Sequence, residues 1–72
     1  MKNYDRIISK AFQTAAESRD DFTRLFNERC YVDGVVRMAF LRHSKALDTI
    51  RAIGGMELAE EFSRWYMEEW QG

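Results

Sequence analysis

The stretch Val35–Ile53, VVRMAFLRHSKALDTIRAI, decides the fold predicted for this chain. At about 100° per residue, its apolar positions recur at the i, i+3, i+4, i+7 spacing of one buried helix face. Val35, Ala46 and Ile53 widen that face to about 140°, so the helix should have neighbours on two sides. The other positions predicted on the inner face are Val36, Ala39, Phe40, His43, Leu47, Ile50 and Gly54.

The opposite face of this central helix is charged, but it also carries large apolar residues. Met38 and Leu41 lie among Arg37, Arg42 and Lys45. Methionine and arginine are enriched in protein interfaces, and methionine suits adaptable ones. The pattern therefore favours a protein-binding surface over a merely solvated face.

Helical periodicity also precedes the central helix. From Tyr4 one apolar phase continues for about six turns to Phe26, and Asn3 is a candidate N-cap with Asp5 in the first turn. Ser18 resembles a capping box that opens a second helix, because an acid follows three residues later. Since the apolar stripe crosses Ser18 without changing phase, we predict one long helix.

Two short breaks separate the helical segments. Residues Cys30–Gly34 imitate a two-residue β-hairpin, but helical periodicity on both flanks favours a helix connection in which Asp33 caps the central helix. Gly54 and Gly55 supply its C-terminal stop. A last amphipathic helix is predicted over Met56–Gln71, and its two C-terminal glutamates predict fraying there because they oppose the helix dipole.

These segments predict an all-α fold with one domain over residues 1–72. The expected unit is a helical hairpin plus a C-terminal helix, with helix 1 over Tyr4–Arg29, helix 2 over Val35–Ile53 and helix 3 over Met56–Gln71. A 72-residue chain has a small core, yet 46% of its residues are hydrophobic. The wide apolar arcs therefore predict self-association, most simply a two-fold dimer.

Composition narrows the functional classes. A single cysteine cannot form an intrachain disulfide, which favours an intracellular, cytoplasmic protein. The longest apolar run, Met38–Leu41, is far shorter than the roughly 20 residues of a membrane span, so no membrane role is expected. Net charge is −1, with residues 1–55 basic and residues 56–72 acidic. This polarity is more typical of complementary helices than of a nucleic-acid footprint.

Residues suited to catalysis or metal binding are few. His43 lacks a Glu-x-x-His or His-Glu-x-x-His neighbourhood, and on the apolar face it is interpreted as a histidine hydrogen-bonded to a neighbouring helix, or as a pH-sensitive contact. Cys30 is interpreted as semi-buried at a helix end. We therefore predict no catalytic residue, no metal and no cofactor.

Function is predicted from the surplus of interface-type side chains. Our hypothesis is a non-enzymatic protein-interaction module, an adaptor, regulator or inhibitor of a partner protein. One alternative is a nucleic-acid binder that uses the central basic residues, including Arg51. Another is a small-ligand or nucleotide binder at an oligomer interface, built from Tyr4, Tyr31, Arg37 or Arg42. The residues predicted to bind the partner protein are Met38, Leu41, Arg37, Arg42, Lys45, Trp65, Tyr66, Met67 and Trp70.

Overall fold

The computed structural model describes residues 4–30 and 32–71, and all regular structure within those two ranges is helical. Helix α1 covers Arg6–Arg29 and helix α2 covers Gly34–Trp65. A π-helical turn, Tyr66–Trp70, continues directly from α2. The predicted all-α class is confirmed, and no strand occurs in the described part of the connection between the two helices.

Helix α1 is capped by a carboxylate at its start. Asp5 has extended backbone angles, and its Oδ1 accepts a hydrogen bond from the backbone N–H of Ile8 at 2.8 Å. The helix therefore begins at Arg6 rather than at the predicted Tyr4, while the predicted cap Asn3 lies outside the described residues. Ser18 lies inside the helix, so the prediction of one uninterrupted helix is confirmed.

The connection between the helices is fixed at both ends. Cys30 is left-handed, with φ 60°, and donates its backbone N–H to the Phe26 carbonyl at 2.8 Å. Asp33 caps α2 as predicted, its Oδ1 accepting from the Val36 N–H at 3.0 Å, and its Oδ2 pairs with Arg29 at 2.7 Å. The Val36 hydrogen bond and the Arg29 charge hold the pKa of Asp33 below its usual value.

Helix α2 folds back on itself at Gly55. This residue has φ 69° and ψ −161°, outside the helical region. A straight helix over residues 34–70 would be about 55 Å long, whereas the longest dimension of the molecule is 36 Å. We call residues 34–54 the first limb of α2 and residues 56–65 its second limb. The structure thus has two helices where the sequence predicted three, and the predicted boundary between helices 2 and 3 coincides with the kink.

The core lies where α1 meets both limbs of α2. Phe12 is fully buried, with its ring centroid 4.8 Å from that of Tyr4, 5.4 Å from that of Phe62 and 5.3 Å from that of Trp65. Such aromatic pairs contribute about 0.5–1.5 kcal/mol each beyond their buried area. The buried residues that form the core cluster are Phe12, Ala15, Ala16, Ala46, Ile50, Leu58, Phe62 and Tyr66.

The inner face of the first limb is narrower than predicted. Phe40, Val35 and Ile53 are 51%, 46% and 41% exposed, so the prediction that they are buried is wrong. The fully covered positions, from Val36 to Ala46 on the helical wheel, span only about 80°. Val35 and Ile53 lie beyond one edge of this arc and Phe40 lies beyond the other, which leaves each of them half in solvent.

Candidate functional site

The outer face of the first limb carries exposed apolar side chains in the middle of a helix. Met38 is 60% exposed and Leu41 is 52% exposed. They are three residues apart, so they lie next to each other on the helix surface. Single exposed apolar residues are common, but two adjacent ones within a charged helix face are suited to contact another protein.

The charges around Met38 and Leu41 are cationic. Within residues 4–30 and 32–71, no ion pair involves Arg37, Arg42 or Lys45; the pairs formed there join Arg24 with Asp21 and Glu28, Arg29 with Asp33, and Arg51 with Asp48. Glu17 and Asp21 of α1 line the open groove beside Arg42 and Lys45, but no ion pair crosses it. We call Arg37, Met38, Leu41, Arg42 and Lys45 the basic face.

The aromatic residues near the chain end do not form one exposed cluster. Tyr66 is 2% exposed and belongs to the core, so its ring is not presented to a partner. Trp65 is half-buried against Phe12. Met67 is 59% exposed and Trp70 is 36% exposed. Of the four residues, Met67 and Trp70 have the surface a partner could contact.

Asp20 of α1 holds the last turn of the chain. Its carboxylate accepts hydrogen bonds from the Tyr66 hydroxyl and, at 2.7 Å, from Trp70 Nε1. Burial, together with the Asp20 hydrogen bond and charge, raises the pKa of Tyr66 above its usual value. The Arg19 guanidinium lies over the Tyr66 ring, 4.4 Å from its centroid. These contacts oppose the fraying predicted from the C-terminal glutamates, and the sequence contains no local signal for them.

His43 is held between α1 and the first limb. Its Nδ1 lies 3.2 Å from the Ser18 hydroxyl, which in turn donates to the Ala15 carbonyl at 2.9 Å. The prediction of a histidine hydrogen-bonded to a neighbouring helix is therefore confirmed. Burial lowers the pKa of His43 below its usual 6.5, the Ala15 carbonyl opposes this shift, and the positive charge of Arg19 adds to it.

The depressed pKa of His43 predicts a pH-dependent stability. Well above pH 6.5 the imidazole is neutral in both the folded and the unfolded state and adds no pH dependence. As pH falls below 6.5, the unfolded chain binds a proton that the folded chain does not. The free energy of unfolding therefore decreases until the pH passes the lower, folded-state pKa. Urea unfolding of wild type and His43→Gln between pH 7.5 and 5 checks this, because glutamine does not titrate; equal slopes in the two proteins would contradict it.

Cys30 is exposed rather than semi-buried, so that interpretation is wrong. Its thiol donates to the Asn27 carbonyl at 3.5 Å, while His43 is engaged with Ser18. Cys30 lies at the C-terminal end of α1, where its backbone is left-handed. A nucleophile and base in contact, the arrangement that covalent catalysis needs, is not formed by these two residues.

No family model, curated protein or solved structure matches the chain. Function therefore has to be inferred from the surface itself.

Neither a metal-binding cluster nor a membrane-spanning helix occurs among the residues that the structure describes. Across the described part of the chain, no group of three or more His, Cys, Asp or Glu side chains is placed to hold a metal ion. None of the helices described there has the length and apolarity needed to cross a bilayer. For the predicted ligand site, Tyr31 lies outside the described residues, and Tyr4 packs against the core, away from the outward-facing Arg37 and Arg42.

Proposed function

We propose that this chain is a non-enzymatic protein-interaction module whose basic face binds another protein, as an adaptor, regulator or inhibitor does. The observation that carries the proposal is the exposure of Met38 and Leu41 among three cations that have no ion-pair partner in the described residues. Apolar anchors surrounded by charge are the usual anatomy of a binding surface. Met67 and Trp70 extend the proposed surface onto the last turn.

We further propose that the protein works in the cytoplasm and associates with itself as a two-fold dimer. Its single cysteine gives no intrachain disulfide, which fits a reducing compartment. The exposed apolar groups on both limbs of α2 exceed what the single small core covers. Closed two-fold pairing is the commonest way for one chain to cover such surface.

The proposed surface is tested by Met38→Asp. An aspartate there places a charge in the apolar centre of the basic face, so binding of the partner should fall by about tenfold or more, as for an interface hot spot. Affinity capture from the native host, quantified by mass spectrometry, measures this. The matched control is Ile7→Asp, because Ile7 is 69% exposed on α1. Proteins that bind wild type and Ile7→Asp but not Met38→Asp support the proposal; equal capture by all three, with unchanged helical circular dichroism, contradicts it.

Nucleic-acid binding is the second candidate function. It is favoured by the same cations, Arg37, Arg42 and Lys45, although Arg51 of the predicted set is already paired with Asp48 at 3.2 Å. Binding through phosphates would weaken steeply as salt rises. A gel shift of labelled duplex and single strand at low salt decides between the two, because the absence of any shift removes this candidate.

A further inference from the structure

A second exposed face has the opposite charge. Met56 and Met67 are 64% and 59% exposed, on the second limb of α2 and the π-helical turn respectively. Glu57 and Glu60 lie with Met56 within about 100° of the α-helical wheel, Glu68 follows Met67 on the π-helical turn, and all three glutamates are exposed. We call Met56, Glu57, Glu60, Met67 and Glu68 the acidic face.

The carboxylates of the acidic face are also unpaired among the residues that the structure describes. In residues 4–30 and 32–71, no ion pair or side-chain hydrogen bond involves Glu57, Glu60 or Glu68. Arg64 shares this side of the helix, so the net charge of the arc is −2. The side chains of the basic face carry +3, and Asp48, which shares their side of the helix, is paired with Arg51.

The two faces belong to different limbs and both lie on the outside of the molecule. The inner sides of both limbs are occupied by the core, through Ala46 and Ile50 on one and Leu58 and Phe62 on the other. The outward-facing cations and carboxylates of one molecule form no ion pair with each other, as described above. Both faces are therefore open to a partner from outside the molecule, which could pair with the charges and cover the thioethers.

We propose that this partner is a second copy of the chain, with the basic face of one molecule packed against the acidic face of the other, twice in a two-fold dimer. The inference rests on the proposed function and names the partner of its surface. Arg37 to Lys45 spans about 12 Å of helix and Glu57 to Glu68 about 16 Å, so the charged stretches are of similar length. Opposite potentials fix which faces meet, and Met38 and Met67 supply adaptable apolar contact.

The dimer should respond to salt. Salt screens the attraction between exposed charges, and the screening length shortens from about 10 Å at 0.1 M to about 3 Å at 1 M ionic strength. Raising the ionic strength should therefore weaken association without unfolding the chain.

Charge reversal with complementation tests the pairing. The basic-reversed variant is Arg42→Glu with Lys45→Glu, and the acid-reversed variant is Glu60→Lys with Glu68→Lys. Each variant alone repels its own copy, so sedimentation velocity should show self-association weakened by about tenfold or more. An equimolar mixture of the two variants should associate within about threefold of wild type, because both contacts of the mixed dimer join opposite charges: the two unaltered faces meet at one contact and the two reversed faces at the other.

The control is a double charge reversal on α1, outside both faces. Arg6→Glu with Lys10→Glu makes the same change in net charge on α1 and should leave self-association unchanged. All substituted residues favour helices, and circular dichroism checks folding; if a double variant unfolds, the single pair Lys45→Glu and Glu60→Lys replaces it. The pairing is wrong if wild type stays monomeric at every concentration, if either reversal leaves association unchanged, or if mixing fails to restore it. None of these results would rule out that Met38 binds a different protein. The proposed function is therefore decided by the Met38→Asp capture experiment and not by the charge reversals.

Discussion

Replacing Phe12 by alanine is expected to lower the free energy of unfolding by about 3–5 kcal/mol, the range for phenylalanine truncation in a well-packed core. Phe12 has no exposed surface, and its ring lies within 5.4 Å, centroid to centroid, of the rings of Tyr4, Phe62 and Trp65. Tyr4 directly precedes the N-cap of α1, and the other two rings come from the second limb of α2, so the cavity would open where these elements meet. Because small domains have about 5–15 kcal/mol in total, the variant should be largely unfolded on mild heating.

Urea unfolding followed by far-ultraviolet circular dichroism measures the loss. The matched control is Phe26→Ala, also in α1, where the ring is 42% exposed and stacks on Phe22 with 6.1 Å between centroids. Its truncation should cost clearly less than that of Phe12, about 1–2 kcal/mol, because more than two fifths of Phe26 is already in water. Equal losses in the two variants would show that Phe12 is not the centre of the core.

Replacing Gly55 by alanine is expected to cost about 1–3 kcal/mol, because a φ of 69° with a ψ of −161° is essentially restricted to glycine. The kink is the only connection between the limbs, so strain there acts directly on the packing of Leu58 and Phe62. Relief of the strain requires the chain to become helical at residue 55, which would swing the second limb away from α1. The half-buried indole of Trp65 should therefore become more exposed to water, and a change in tryptophan fluorescence should accompany the loss of stability.

Gly34→Ala is the control for the glycine substitution. A Cβ at Gly34 meets nothing within 4 Å, and its φ is not positive. The free energy of unfolding should stay the same or rise by up to about 1 kcal/mol, since alanine restricts the unfolded chain. Gly54 differs from both, because a Cβ there would lie 2.6 Å from the Cβ of the buried Leu58. A Gly55→Ala protein as stable as Gly34→Ala would contradict the assigned role of the kink.

Local signals in the sequence predicted most of the fold. Asp33 followed by a helical pattern indicates a cap, and the structure places its carboxylate on the Val36 N–H. The paired glycines indicate a break in the helix, and the structure shows that Gly55 has a positive φ, which favours glycine at this position. The unbroken apolar phase across Ser18 correctly indicates a single α1. Each of these features depends on residues within a few positions of each other.

Features that depend on distant residues could not be predicted in the same way. Asp20 lies 46 positions from Tyr66 and 50 positions from Trp70, and no periodicity links them. Their hydrogen bonds explain why Tyr66 belongs inside the protein although it was predicted to bind a partner. Ala15 and Ala16, fully buried in the same cluster as Phe62 and Tyr66, leave room for those rings against α1. These alanines therefore allow a small core to contain several large aromatic rings.

The candidate surface was partly readable from helix phase. Met38 and Leu41 lie opposite the apolar stripe, and both are exposed in the structure as their phase predicts. Which cations lack an ion-pair partner could not be read from spacing, because Arg51 and Lys45 look equivalent in sequence while only Arg51 pairs with Asp48. The edge position of Phe40 likewise depends on how far the neighbouring elements reach.

The measurement that tests the central claim most directly is carbene labelling of Met38, read by mass spectrometry at rising protein concentration. The account predicts that labelling of Met38 decreases as the protein associates, while labelling of Ile7, which is similarly exposed, stays constant. If Met38 is labelled equally at all concentrations while sedimentation shows a dimer, a different surface joins the two molecules and the outer face of α2 is not the docking site.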